Sequence, residues 1–274
     1  MDRYARPACN NFRNIFSVDL KEIRRIAQDV KERTLRLIQT IGDIHSNTRS
    51  ISFPQGQPLN FVAYNNNSFG VYYQRGALQY SFSREEFLDN VSELRTDWTL
   101  AKFPYLTKLG FPAGIMLVGP LSRSFQDDSP LHDPDLRNLD LTGHINNGPS
   151  LTLENYDACR LMEIFWAAGK ILRLLEEVNL KDMNADADLK SSGQGTGVLE
   201  APRGILMHHY LVNQGRIERM RLLVATQFNN AYINLFLRDI AERHLDGDSI
   251  SSEGERLIGR CVRIFDPCLS CATH

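Results

Sequence analysis

The sequence "DPCLSCATH" (residues 266–274) places two cysteines and a histidine at the end of the chain. Chain termini usually fray, so a group of soft metal ligands is unexpected at this position. Pro267 disfavours helical geometry in the residue before it, which predicts that the preceding helix ends at Asp266. That helix is indicated by apolar residues at helical spacing: Leu257, Ile258, Cys261, Ile264 and Phe265.

Several chemistries use two cysteines at this spacing. A redox dithiol favours a pair that opens a helix, whereas this pair follows one. Haem attachment requires Cys-x-x-Cys-His and is excluded. Structural zinc requires four ligands and would therefore need His208, His209 or another chain in addition to the tail. A redox-active transition metal such as nickel or iron fits the two soft thiolates better, with Arg203 of "EAPRG" as a candidate balancing charge.

The composition is that of an ordinary globular protein, with 42% hydrophobic residues, 23% charged residues and a net charge of -2 over 274 residues. The chain lacks the basic excess typical of nucleic-acid binding. No apolar run approaches the roughly 20 residues of a membrane-spanning helix. The first residues, "MDRYARPACNNFRN", contain no apolar signal region. These features predict a protein with no membrane span and no nucleic-acid partner, which is cytoplasmic or is exported by a route encoded elsewhere.

The five cysteines do not indicate a disulfide framework, because their number is odd and no secretion signal precedes them. Cys159 and Cys261 lie in helical patterns and are interpreted as small buried hydrophobic residues. Cys9 stands alone in "PACNN" and is assigned no role. Cys268 and Cys271 are therefore the two cysteines for which we expect chemistry.

The hydrophobic spacing predicts a mostly α protein with a small antiparallel β part, an α+β fold. The helices are predicted over residues 21–41, 83–94, 153–178, 227–244 and the stretch that ends at Asp266. The strands are predicted as a meander over residues 58–79 and as a pair joined by a turn at 213–215. Irregular loops are predicted over 104–149 and 184–197, which are rich in Gly, Asp and other polar residues.

Together, four stretches resemble the large subunit of the [NiFe] hydrogenases, and most closely the bidirectional, NAD-linked soluble type. They are "VGPLSR" (118–123), "EAPRG" (200–204) followed by "HHY", "VATQFNN" (224–230) and "DPCLSCATH". The resemblance runs from about residue 40 to the end. It implies a hydrogenase large-subunit-like helical core and makes residues 1–274 the C-terminal portion of that domain. In this portion, residues 1–100 would form a peripheral helix and a β meander, and residues 101–274 the metal-site core.

The resemblance also implies a Ni–Fe centre whose iron carries CO and cyanide. Cys268 would be a terminal thiolate on nickel, and Cys271 would bridge nickel and iron. His274 would bind Mg²⁺ together with the backbone carbonyl of Leu222. In this arrangement the tail would be tucked into the core of the protein.

Three further roles follow from the resemblance. Arg203 would overhang the centre, and Asp266 would lie beside it to orient it or to take part in protonation. Pro202 and Thr226 would line the pocket around the iron ligands. The implied reaction is the reversible splitting of H₂, for which Arg203, Asp266 and Cys268 are the candidate catalytic residues.

Large subunits of this family use four thiolates, and two of them come from an N-terminal Arg-x-Cys-Gly-x-Cys segment that this sequence lacks. The resemblance therefore implies a segment or chain that supplies the missing cysteines. It also implies a small subunit with an Fe–S cluster, and a diaphorase module with NAD and FMN as a possible further partner. Two alternatives stay open: a truncated or degenerate subunit with a structural or assembly role, and a structural zinc site.

Overall fold

The structure is a computed structural model that describes residues 19–47, 50–73, 76–127, 129, 136, 151–177 and 191–273. Over these residues the helices are α1 Leu20–Asn47, α2 Phe87–Asn90, α3 Pro120–Arg123, α4 Glu154–Glu177, α5 Ala225–Arg243, α6 Ser252–Phe265 and α7 Leu269–Ala272. The strands are β1 Asn60–Asn65, β2 Ser68–Tyr73, β3 Ala77–Ser83, β4 Val91–Thr96, β5 Thr99–Leu106, β6 Met116–Leu117, β7 Gly193–Ala201, β8 Gly204–Asn213, β9 Arg216–Leu223, β10 Leu245–Asp246 and β11 Ser249–Ile250.

The long helices follow the predicted periodicity. Helix α1 packs along α4, and its buried residues Ala27, Thr34 and Ile38 recur at helical spacing. Helix α4 buries Met162 and Phe165 in the main apolar core, which α5 and α6 complete. The helices expected over 21–41, 153–178 and 227–244 are thus confirmed.

The predicted meander is also confirmed. Strands β1, β2 and β3 pair antiparallel, and β6 adds to the free side of β1 in a parallel pairing. Asn66 and Asn67 make the first turn with φ angles of 49° and 62°. Asparagine tolerates this left-handed conformation, which a tight hairpin requires.

The helix expected over residues 83–94 is present only as the short α2, and the prediction is wrong from Val91 onward. Ser83 and Glu86 do cap that turn, since the Glu86 carboxylate accepts from the Ser83 backbone at 2.8 Å and the Ser83 hydroxyl accepts from the Glu86 backbone at 3.3 Å. From Val91 the chain is instead strand β4, paired antiparallel with β5. Val91 is β-branched and almost fully buried, so long-range pairing outweighs the local helical signal.

Of the polar stretch at 184–197, which was predicted as a loop, residues 184–190 lie outside the described residues, and residues 193–197 form a strand instead. Strand β7 begins at Gly193 and pairs with β8 along its whole length. The glycines of this edge strand contribute no side chains, and the backbone hydrogen bonds to β8 order them nonetheless. Within the stretch expected to be irregular, 104–149, the described residues include the end of β5, strand β6 and helix α3.

A three-stranded antiparallel sheet of order β7–β8–β9 carries the "EAPRG" and "HHY" sequences. Two short turns join its strands, one at Pro202–Arg203 and the other at Gln214–Gly215, where the second was predicted. The fold class, mostly α with small antiparallel sheets, is confirmed. Among the helices that the structure describes, none is both long enough and apolar enough to cross a membrane.

Candidate functional site

Helix α6 delivers the C-terminal tail to the site. The helix begins at an N-cap in which the Ser251 hydroxyl accepts from the Gly254 backbone at 3.2 Å. It ends, as predicted, at Asp266, whose backbone N–H donates to the Val262 carbonyl at 3.0 Å. Asp266 has the left-handed conformation with φ 48° and ψ 55°, which turns the chain sharply out of the helix.

The tail is tied to the start of α5. The backbone N–H of Cys268 donates to the Thr226 hydroxyl at 2.9 Å, and Thr226 is buried. Helix α7 then makes a single turn that brings Cys271 back to Cys268, so that their sulfur atoms are joined as a disulfide with the Cα atoms 5.4 Å apart. The two thiols that the sequence singled out therefore face one another.

Arg203 occupies the turn between β7 and β8 and reaches the end of α6. Its Nε donates to the backbone carbonyl of Asp266 at 2.6 Å and lies 2.7 Å from Oδ2 of the same residue. The structure thus brings Arg203, Asp266, Cys268 and Thr226 into one group.

A largely buried ion-pair network holds this turn, and the sequence alone did not predict it. Arg123 makes a bidentate pair with Glu163 at 2.6 and 2.7 Å and a further pair with Glu200 at 2.7 Å. The same guanidinium donates to the backbone carbonyls of Ala201 and Pro202 at 3.0 and 3.2 Å. Arg123 therefore braces the backbone that presents Arg203.

The network keeps Arg123 charged. Burial by itself would lower the pKa of this guanidinium, but the hydrogen bonds and charges of Glu163 and Glu200 raise the pKa above its ordinary value. Burial raises the pKa of Glu200, and the charge of Arg123 opposes that shift. A cleft of about 490 Å³ opens beside this network, lined in part by Trp166 and Pro202.

Gly119 of "VGP" (118–120) and Gly204 of "RG" (203–204) allow these two segments to come into close contact. A Cβ atom on Gly204, where φ is 134°, would collide with the Val118 side chain. A Cβ on Gly119, where φ is 116°, would collide with the Tyr156 hydroxyl and lie 2.7 Å from the Arg203 carbonyl oxygen. Both positions combine positive φ with close backbone approach, which only glycine accommodates.

Buried polar groups hold the backbone of Val118, which forms the other side of the contact with Gly204. The backbone N–H of Val118 donates to the Asn229 amide oxygen at 2.9 Å. The Tyr156 hydroxyl donates to the Val118 carbonyl, and burial raises its pKa well above the ordinary value, so it stays protonated. Val118 and Asn229 lie in "VGPLSR" and "VATQFNN", two of the stretches that carry the resemblance, whereas Tyr156 lies in neither and has no such signal.

The remaining predicted site residues lie as follows. Leu222 is in β9, paired with His208 of β8. His208 lies 3.1 Å from the Tyr210 hydroxyl and His209 lies 2.8 Å from the Thr196 hydroxyl, so each imidazole has its own partner in the sheet. His274 and Cys9 lie outside the described residues.

The tail is not tucked into the core, and that expectation is corrected. Cys271 is exposed, Cys268 is partly exposed, and the Arg203 and Asp266 side chains are 46% and 54% exposed. The Cys268 amide and the buried Ala272 side chain anchor the last turn to the body of the protein. Across the part of the chain that the structure describes, no group of three or more His, Cys, Asp or Glu side chains is arranged to hold a metal ion.

The donor chemistry nevertheless fits part of a thiolate-ligated centre. Two cysteine sulfurs lie side by side, and a guanidinium is fixed to the residue two positions before the first of them. Thiolates, not a disulfide, bind metal, so the pair must be reduced before it can serve as ligands. Two thiolates supply two of the four sulfur ligands of a tetrahedral metal site.

Residues 157–274 match the model of the nickel-dependent hydrogenase family. The chain belongs to this family, and it corresponds to the C-terminal part of the large subunit. The resemblance inferred from the sequence is thereby confirmed.

Individual relatives within the family resemble the chain over most of its length. The chain is 39% identical over 203 residues to the NAD-reducing hydrogenase HoxS subunit beta of Cupriavidus necator, an alignment covering 70% of this chain and 41% of the relative. It is 30% identical over 204 residues to a polypeptide of the F420-non-reducing hydrogenase of Methanothermobacter marburgensis, covering 73% and 43%. The chain thus spans about two fifths of the length of these curated relatives.

Solved structures show the same relation. An NAD⁺-reducing [NiFe]-hydrogenase in the H₂-reduced state superposes with a TM-score of 0.73 and 28% identity, covering 93% of this chain and 58% of that chain. The Ni-Fe-Se hydrogenase from Desulfovibrio vulgaris Hildenborough in the reduced state gives a TM-score of 0.60 at 19% identity, covering 92% and 60%, and shares the fold.

Proposed function

We propose that this chain supplies one half of the active site of a [NiFe] hydrogenase, which interconverts H₂ with protons and electrons. The observation that carries the proposal is the meeting of Arg203, Asp266 and Cys268 at one place in a nickel-dependent hydrogenase fold. These residues come from a turn and a tail that are far apart in the sequence. Such convergence is what a catalytic constellation requires.

In this proposal the reduced Cys268 and Cys271 would hold the Ni–Fe centre, whose iron would carry CO and cyanide. The carbonyl of Leu222 and the imidazole of His274 would hold Mg²⁺. When bound, the Ni–Fe centre supplies a Lewis acid that polarises H₂.

Side chains of this chain would accept the proton and stabilise the charge of the site. The Cys268 sulfur would accept the proton when H₂ is split. The positive charge of Arg203 stabilises the anionic thiolate site, and Asp266 fixes the direction in which that guanidinium points. Thr226 accepts the Cys268 N–H through its oxygen, so the hydroxyl proton stays available to an iron ligand in the pocket beside Pro202.

The proposal requires partners, because two of the four thiolates come from outside this chain. We assign them to a segment or chain that bears the Arg-x-Cys-Gly-x-Cys sequence. Electrons leave through a small subunit with an Fe–S cluster, since this sequence has no cysteine pattern for such a cluster. The similarity to the NAD-reducing hydrogenase HoxS subunit beta supports a partner module that uses NAD. A diaphorase module and a cytoplasmic location remain predictions from the sequence. The division into a peripheral part, 1–100, and a metal-site core, 101–274, remains a prediction.

The test is metal analysis and infrared spectroscopy of the complex purified from its native host under reducing conditions. The proposal expects equal amounts of nickel and iron and infrared bands from CO and cyanide. The Cys268→Ser variant should lose nickel while the chain stays folded. A complex with neither metal contradicts the proposal.

The same experiment separates the alternatives. A subunit with an assembly role predicts that the complex forms without nickel and that Cys268→Ser leaves assembly intact. A structural zinc site predicts one zinc per chain and unfolding by chelator. The coding sequence upstream of Met1, or in an adjacent frame, would reveal whether an Arg-x-Cys-Gly-x-Cys segment accompanies this chain.

A further inference from the structure

A second cavity, of about 290 Å³, opens between the β4–β5 hairpin, the segment that contains Phe111 and Pro112, and one stripe of α5. Helix α5 packs against β5, and this packing brings the hairpin and the helix together. The lining of the cavity shares no residue with the group around Arg203 and Cys268. The proposed function therefore assigns this cavity no role.

The cavity has a buried apolar floor and aromatic walls. Phe103, Ile115 and Ala231 are buried residues of its lining. The ring of Trp98 lies against Phe103 with a centroid distance of 5.5 Å and an interplanar angle of 47°. Phe111 also lines the cavity and is 45% exposed. Aromatic side chains arranged in this way pack well against a further planar ring.

Trp98 is unusually exposed for so large an apolar side chain. Asp97 and Trp98 form the turn between β4 and β5, and Trp98 remains 70% exposed in spite of its contact with Phe103. Removal of apolar surface from water is favourable in proportion to its area. A ring that entered the cavity would therefore be stabilised by covering Trp98 and Phe111.

Arg238 gives the cavity its charge. Among the described residues that line the cavity, Arg238 alone carries a charge, and Asn234 lies one turn before it on α5. The Nε of Arg238 donates to Glu242 at 2.9 Å on the surface of the helix. A guanidinium has five N–H donors in a planar fork that matches a carboxylate, so this ion pair does not use up its capacity. The rim of the cavity therefore favours an anionic group.

Thr96 provides a second polar group. It lines the cavity at the end of β4, and its hydroxyl oxygen is buried without a hydrogen-bond partner in the described part of the chain. Native proteins seldom leave a buried hydroxyl unpaired. Rotation about χ1 moves a threonine hydroxyl between staggered positions, so a ligand oxygen in the cavity can supply the missing partner.

We propose that this cavity, the Trp98 pocket, binds a small planar aromatic molecule that carries a carboxylate. The ring lies among Trp98, Phe103 and Phe111, and the carboxylate meets Arg238 at the rim. The volume of the pocket is at the lower end of the roughly 300–1,000 Å³ that is usual for ligand sites, which suits a ligand of one or two rings. This binding requires no metal and does not rest on the proposed function.

The experiment titrates the full chain with cinnamate, and with cinnamamide as a neutral analogue of the same shape. The chain has two tryptophans, and Trp166 lines the cleft beside Arg123 instead. In NMR spectra of the chain labelled at its indole nitrogens, cinnamate should shift the signal of Trp98 and leave that of Trp166 in place. The Trp166→Phe variant identifies the two signals. Cinnamamide should bind at least tenfold more weakly than cinnamate.

Two variants separate the aromatic wall from the charge, with affinities measured by calorimetry. Trp98→Ala should weaken the binding of both probes at least fivefold. Arg238→Met should lower the affinity for cinnamate to that for cinnamamide. Arg243→Met is the matched control, because it removes an arginine that pairs with Asp239 further along α5, outside the pocket. It should leave both affinities unchanged, and circular dichroism establishes that each variant remains folded.

Three results would overturn the Trp98 pocket. The first is an unmoved Trp98 signal up to about 10 mM cinnamate, where even millimolar binding is visible. The second is equal affinity for cinnamate and cinnamamide, and the third is a shift of the Trp166 signal alone. None of these results bears on nickel or iron content, so the metal analysis described above decides the proposed function separately.

Discussion

Arg203 is fixed to Asp266 at two points, with its Nε 2.6 Å from the backbone oxygen and 2.7 Å from a carboxylate oxygen of the same residue. The two residues are 63 positions apart in the sequence. Their contact joins the β7–β8 turn to the tail that carries Cys268. A guanidinium held in this way has a defined direction, which a lysine ammonium in its place would not maintain.

The Asp266→Asn substitution should remove the carboxylate charge that Arg203 contacts while keeping the backbone conformation of the tail. Asparagine tolerates the left-handed backbone of Asp266, and the ion pair is half exposed. The free energy of unfolding should therefore change by less than about 1 kcal/mol. Hydrogen oxidation by the assembled enzyme should fall by about tenfold or more, because Arg203 loses its orienting charge. Urea denaturation and a hydrogen-uptake assay measure the two effects.

Asp239→Asn is the matched control, because it removes the carboxylate of another ion pair, with Arg243 on α5 at 2.8 Å. It should leave hydrogen uptake unchanged. Full activity of the Asp266→Asn enzyme would show that the carboxylate has no role in orienting Arg203.

Arg123→Met should destabilise the chain strongly. The substitution leaves Glu163 and Glu200 partly or largely buried without their cation, and two carbonyl acceptors lose their donor. Breaking a buried pair from one side costs about 3–5 kcal/mol. Urea denaturation with circular dichroism should register this loss.

Arg238→Met provides the comparison, since Arg238 pairs with Glu242 at 2.9 Å on the surface of α5 and is 74% exposed. Surface pairs of this kind contribute at most about 1 kcal/mol. Equal stability of the two variants would rule out a bracing role for Arg123.

Thr226→Val should loosen the tail without disturbing the core. Valine has nearly the same shape but cannot accept the Cys268 N–H, so the amide loses the bond measured at 2.9 Å. A single hydrogen bond is worth about 1 kcal/mol, and hydrogen exchange of the Cys268 amide should speed up roughly fivefold. Thr226→Ser keeps the hydroxyl and should exchange at the original rate. Unchanged exchange in Thr226→Val would mean that the tail is anchored elsewhere.

The four described cysteines should divide into two reactive and two inert residues. Burial raises the pKa of Cys159 and of Cys261 to about 12, and only the thiolate reacts with iodoacetamide. In the reduced, folded chain at pH 8, Cys268 and Cys271 should be alkylated while Cys159 and Cys261 are spared. Because their folded pKa is raised, the protection of Cys159 and Cys261 should persist as pH rises and fail only as pH approaches 12.

Peptide mapping by mass spectrometry measures this division. Unfolding in urea is the control, since it should expose Cys159 and Cys261 at pH 8. Equally rapid alkylation of all four cysteines in the folded chain would contradict the burial of Cys159 and Cys261.

Interactions between residues close together in the sequence explain the features that were predicted correctly. Pro267 marks the end of α6, Asn66 and Asn67 mark a hairpin, and the cysteine spacing points to the tail, because each signal acts within a few residues. The contact between Arg203 and Asp266 came from the family resemblance, since no local pattern joins residues so far apart.

Long-range contacts account for what the sequence did not reveal. Val91 begins strand β4 directly after a capped helical turn, because pairing with β5 buries the Val91 side chain. Gly193 to Gly197 form a strand because β8 supplies the hydrogen bonds. The Arg123 network joins α3, α4 and β7, and a single charged residue in each segment gives no sign of a shared partner.

The left-handed backbone at Asp266 restricts which residues can stand between helix α6 and the two cysteines that we propose as metal ligands. Glycine and asparagine accept this conformation, whereas β-branched and bulky residues do so only at a cost of roughly 1 kcal/mol or more. Glycine lacks any side chain for Arg203, and asparagine lacks the charge. Aspartate alone meets both demands, so a survey of related chains can use this single position to separate those able to hold the arginine from those that have kept only the turn.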